Sequence, residues 1–115
     1  MYQSFYREVL EDDPGLLRSH ERAALLRSIQ LLETAEKAGV QSREAIEALL
    51  FMQRLWQFFL EQLASPENQL PPKLRADLIS VGIGLLRHAE AVRLGQSRDF
   101  ASLKEISQTI ANGLL

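Results

Sequence analysis

At 115 residues, with 46% hydrophobic and 24% charged residues, the chain has the balance of a single globular domain, 1–115, long enough to bury a real core. It contains no cysteine, which excludes disulfide scaffolding, thiolate metal sites and cysteine nucleophiles. A formal charge of −2 gives nucleic-acid binding no help from bulk electrostatics. The start lacks the basic residues and apolar run of a secretory signal, and the most apolar stretches are broken by Arg54 and by residues 75–77, so a cytoplasmic protein that does not enter membranes is expected.

Apolar residues recur at helical spacing nearly throughout, and no clean alternating strand pattern appears. The chain opens on an arm in which Tyr2, Phe5, Tyr6, Val9 and Leu10 share one helical face, closed by the turn signal Glu11-Asp12-Asp13-Pro14-Gly15. Two roles suit it: aromatics packed onto the bundle, or a clamp for a partner. The first helix is predicted over 19–38, with Ser19 as cap and Gly39 as its left-handed stop. Its inner stripe is Leu25, Ile29 and Leu32, widened by Ser28 and Ala35.

The second helix follows the cap Ser42, carries Glu44 where the helix dipole favours an acid, and ends at 63 or 64 ahead of Pro66. A proline-rich connector, 65–72, leads to the third helix, which starts on Pro72 and runs to Leu94 with Gly95 as its stop. Asp99 caps the fourth, placing Phe100, Leu103, Ile106, Ser107, Ile110 and Leu114 on one side. Short connections favour antiparallel neighbours, and the expected fold is all-α: a compact bundle of four main helices behind a short N-terminal arm.

Residues with catalytic potential do not converge. Glu11, Asp12 and Asp13 read as a solvated turn, and nothing in the pattern supplies the two environments that an acid–base pair of carboxylates needs. His20 and His88 stand alone on polar positions, without the companions of a metal site. Gly82 and Gly84 lie inside a helical run with no preceding strand and no following lysine, which excludes a phosphate cradle. Gly82 instead shares the apolar stripe of Leu74, Leu78, Val81, Leu85 and Ala89, where the missing side chain admits a close neighbour; Gly84 points to the polar side. Arg87, Arg93 and Arg98 are interrupted by Glu90 and Asp99, with no aromatics interleaved, so direct RNA binding is not expected. The expectation is a binding protein, without enzymatic activity, cofactor or metal.

There is more apolar surface than one core face requires. The inner face of the second helix is Ala45, Ala48, Leu49, Met52, Leu55, Trp56, Phe59 and Leu63. Ile46 and Leu50 lie on one flank, Phe51 and Phe58 on the other. In the third helix Ile79, Ile83 and Leu86 form a second stripe about 100° from the first. A helix that is apolar on two faces is central in its fold or half of a groove for an amphipathic partner helix. Phe51, Leu55, Phe58, Ile79, Ile83 and Leu86 are the candidate partner-binding residues, with Tyr2, Phe5 and Tyr6 of the arm as a further surface.

Several of these residues carry a resemblance to the FlaF family of bacterial flagellar regulators. It runs through Val9-Leu10-Glu11-Asp12, then Glu21, Ala24, Leu25 and Ile29, then Ser42-Arg43-Glu44-Ala45, Ala48-Leu49 and Arg54-Leu55-Trp56. Its most specific part continues through Leu63-Ala64-Ser65-Pro66-Glu67-Asn68-Gln69-Leu70-Pro71 to Leu74-Arg75-Ala76-Asp77-Leu78-Ile79-Ser80-Val81-Gly82. Gly84 departs from the family, which carries a bulkier and often aromatic residue there. The resemblance implies a chaperone-like protein that binds the terminal helices of flagellin, promotes flagellin synthesis and secretion, and acts opposite FlbT, a repressor of flagellin mRNA translation. The alternative it leaves is a regulatory adaptor acting on FlbT and flagellin mRNA translation without binding flagellin directly.

Overall fold

The computed structural model describes the backbone of residues 14–113, with side chains from residue 20 onward. The aromatic arm with Tyr2, Phe5 and Tyr6, the acidic turn at residues 11–13, and Leu114 lie outside the described residues. Four helices follow in order: α1 (Pro14–Ala38), α2 (Arg43–Ala64), α3 (Pro72–Arg93) and α4 (Phe100–Gly113). No strand occurs among the described residues, and the fold is the all-α bundle expected from the periodicity.

Local chemistry accounts for most of the boundaries. The Gly39 amide donates to the Ala35 carbonyl at 2.9 Å while Gly39 takes φ +107°, a region that side chains disfavour. The Ser42 hydroxyl accepts from the Ala45 amide at 3.1 Å and donates to the Gly39 carbonyl at 2.6 Å, so one side chain joins the end of α1 to the start of α2. Asn68 organises the proline-rich connector, donating to the Gln62 carbonyl at 3.0 Å and accepting from the Leu70 amide at 3.0 Å. α3 begins on Pro72 and closes through Gly95 at φ +79°, with the Gln96 amide reaching back to the Ala91 carbonyl at 2.8 Å. Asp99 caps α4, accepting from the Ser102 amide at 2.9 Å.

The exception is the start of α1. Ser19 does not cap it, because the helix begins more than a turn earlier, at Pro14. Proline's fixed φ and missing donor suit a first helical turn, so a residue pair read as a turn signal serves here as a helix start.

α1 packs on α2 and α4, and α3 packs on α2 with only a light touch on α4. The core joins Leu25, Leu32 and Ala35 of α1, the inner face of α2, Leu85, Ala89 and Val92 of α3, and Phe100, Leu103 and Ala111 of α4. Trp56 is its largest fully buried side chain, 1% exposed, with its ring edge-on to Phe59 at 5.2 Å. Two expected core positions lie outside. Leu63 and Leu78 border one small cavity, so Leu74, a turn earlier in α3, is already past the last turn of α2 and is exposed. Ile106 occupies the edge of the α4 stripe, beside buried Ser107, and is also exposed.

α3 approaches α2 closely at Gly82. A methyl group there would stand 2.9 Å from Trp56 Cε3 and 3.0 Å from Leu60 Cδ2, inside normal contact. The Trp56 ring is held in the core and cannot swing away. At Gly84 an added methyl meets nothing within 4 Å. Gly82→Ala is therefore expected to destabilise by about 1–3 kcal/mol through overpacking, despite its gain in helix propensity. Gly84→Ala is expected to stabilise by about 0.5–1 kcal/mol. Denaturant melts of both variants check this, and equal shifts would remove the close approach. Trp56→Ala in the same assay is expected to cost about 3–5 kcal/mol.

Candidate functional site

The close approach at Gly82 sets the register of α2 against α3, and Gln53 then meets Glu90, its Nε2 donating to Glu90 Oε2 at 3.2 Å. Helical spacing makes the consequence plain. Ile46 and Leu50 lie two turns and one turn before Gln53 on one face of α2. Ile79, Ile83 and Leu86 lie on the face of α3 that carries Glu90. The Gln53–Glu90 bond joins these faces, so both apolar stripes flank a single seam and look out on the same side.

That side is only partly covered. Ile46 is 59% exposed, Leu50 43% and Ile83 41%, while Ile79 and Leu86 are half-buried. Leu94, just past the end of α3, is exposed as well. An isolated surface leucine is ordinary, whereas apolar residues gathered along one seam form a patch of the kind found at interaction surfaces. Beside it Ile83, Leu86 and Ala91 line an open hollow of about 360 Å³ with Arg87, Glu90 and Gln96 on its rim.

The polar centre of the seam is a small network. Arg93 Nε donates to Glu90 Oε2 at 2.8 Å and its second nitrogen reaches Glu90 Oε1, so Glu90 receives both Arg93 and Gln53. The Arg93 hydrogen bond holds the Glu90 carboxyl below the usual carboxylate range; the Arg93 charge and the Gln53 bond add to this, and desolvation opposes it. In return Glu90 raises the Arg93 guanidinium above its ordinary value. A carboxyl with a lowered pKa contributes stability above its unfolded value and loses it as pH falls through the lowered one. The bridge therefore stands at neutral pH and opens only in acid.

The other flank of α2 differs from expectation. Phe58 is 9% exposed and belongs to the core, its ring 6.2 Å from that of Phe59, and Phe51 and Leu55 are half-buried. The α2 residues that stand beside the Ile79, Ile83 and Leu86 stripe are Ile46 and Leu50. Their signal was present in the sequence as an apolar pair one turn apart on the face of Gln53.

The histidines do not join this face as a cluster. His20 is exposed near the start of α1, and His88 pairs through Nε2 with the Asp99 carbonyl at 3.0 Å, locking α3 to the start of α4. The Ser102 hydroxyl holds the Asp99 carboxyl below its ordinary range, with the Ser102 amide and the His88 charge helping. Among the described residues no three His, Asp or Glu side chains stand together as a metal set. No described helix is long and apolar enough to cross a membrane.

The exposure pattern makes a stability prediction. Leu50→Ser and Ile83→Ser, each a little over half covered, are expected to cost only about 1 kcal/mol or less each. Phe58→Ala is expected to cost about 3 kcal/mol or more as a core truncation. Thermal or denaturant melting separates the two groups; a large loss at Leu50 and Ile83 would place them in the core.

Compared with known proteins, the chain matches the family model described as flagellar protein FlaF over residues 2–114. No curated protein matches it, and no solved structure does.

Proposed function

Because the chain belongs to the FlaF family of flagellar proteins, we propose that it binds a terminal helix of flagellin on the outer α2–α3 face and shields that helix before export. The observation that carries this reading is a pair of apolar stripes on one side of one seam, exposed at Ile46, Leu50 and Ile83 and half-buried at Ile79 and Leu86. An amphipathic helix laid along such a seam presents its own anchors at helical spacing, and burial of apolar surface drives the association. Flagellin's terminal helices are amphipathic and must not associate prematurely, which matches the chemistry of the face. On this reading the protein is a cytoplasmic chaperone with no catalytic role, and its effect on flagellin synthesis and secretion follows from holding flagellin.

Calorimetric titration of flagellin against the parent, Leu50→Asp and Ile83→Asp tests this. A charge placed in the apolar contact is expected to weaken affinity by about tenfold or more, the scale of a true anchor, with melting curves unchanged. Phe51→Ala, on the opposite flank of α2, is expected to leave affinity nearly intact. Unchanged affinity in both aspartate variants would move the interface away from this seam. Binding of FlbT by a parent that does not bind flagellin would overturn the reading in favour of a regulatory adaptor.

A further inference from the structure

The charge around the α2–α3 seam is uneven. Arg87 borders the hollow beside Ile83 and Leu86. Arg54 stands one turn beyond Leu50 on the same face of α2 and is exposed. Neither arginine has an ion-pair partner among the described residues. The carboxylates of this side are already engaged. Glu90 is taken by Arg93, and Glu47 by Arg43 at 3.0 Å. Glu61, two turns beyond Arg54, has interactions of its own. A chain of net charge −2 thus presents an apolar seam bordered by Arg54 and Arg87, one on each helix, neither ion-paired among the described residues.

We infer that the α2–α3 seam selects an amphipathic helix whose apolar stripe is flanked by Asp or Glu, with Arg54 and Arg87 receiving those carboxylates. This rests on the docking reading above and adds the partner's charge to it. Charge complementarity decides the occupant: a helix with basic flanks would set its cations against Arg54 and Arg87, whereas an acidic one pairs with both. Arginine suits the task because its planar fork binds a carboxylate through two parallel hydrogen bonds. The Gln53–Glu90–Arg93 network, internally neutralised, leaves the middle of the seam without a competing charge.

The test uses the full chain and two synthetic helices with the same leucine stripe, one flanked by Glu and the other by Lys. The Glu-flanked helix is expected to bind at least about tenfold more tightly at low salt. That preference is expected to shrink as ionic strength rises, because the contacts are at the rim. Arg54→Glu combined with Arg87→Glu is expected to invert the preference without lowering the melting temperature. Equal affinity for the two helices, or a preference that survives the double substitution, would overturn the inference. Its failure is distinguishable from that of the flagellin reading. If Ile83→Asp abolishes flagellin binding while the double arginine variant binds flagellin normally, the docking face stands and its charge selectivity falls. If the Glu-flanked helix binds and flagellin does not, the selectivity stands and flagellin is not the partner.

Discussion

The contact between Trp56 and Gly82 governs the arrangement of the molecule. A glycine in the middle of a helix is unfavourable by roughly 1 kcal/mol, and α3 carries that cost where its backbone meets the rigid indole of α2. The close approach leaves little freedom for one helix to slide along the other. With the register set, Gln53 falls opposite Glu90, and each helix turns a second apolar stripe to the same side of the bundle. The exposed face is therefore a consequence of core packing and does not depend on a loop.

α2 is central because it is the helix on which both α1 and α3 pack. Its two flanks have different fates. Phe58 is drawn into the core, while Ile46 and Leu50 stay exposed beside the seam with α3. Leaving such residues uncovered forgoes their burial free energy and invites self-association, and the polar groups set among them counter that tendency. Glu90, Arg93, Arg54 and Arg87 interrupt the apolar surface with charge.

Much of the fold was legible in the sequence because capping and glycine chemistry are local. Ser42, Gly39, Asp99 and Gly95 mark helix ends through hydrogen bonds and backbone angles that span only a few residues. Gly82 was legible as a point of close approach because its neighbours on the stripe were apolar. The start of α1 was not, since Pro14 fits both a turn and a first helical turn, and the choice depends on the chain around it. The site was half legible. Periodicity showed that α2 and α3 each carry a surplus stripe, and it put Ile79, Ile83 and Leu86 on that of α3. It could not say which flank of α2 lies beside them, because a single helix carries no information about where its neighbour packs. Aromatic side chains drew attention to Phe51 and Phe58, and the register set by Trp56 and Gly82 puts Ile46 and Leu50 on that side in their place.

If a flagellar partner docks on the outer α2–α3 seam, site-specific photocross-linking will report it. A photoreactive residue placed at position 50 or 83 should cross-link to flagellin in cells and with purified components. The same residue at position 33, exposed on α1 and away from α3, should not. Cross-links to flagellin from position 33 with none from 50 and 83 would put the docking face elsewhere on the bundle.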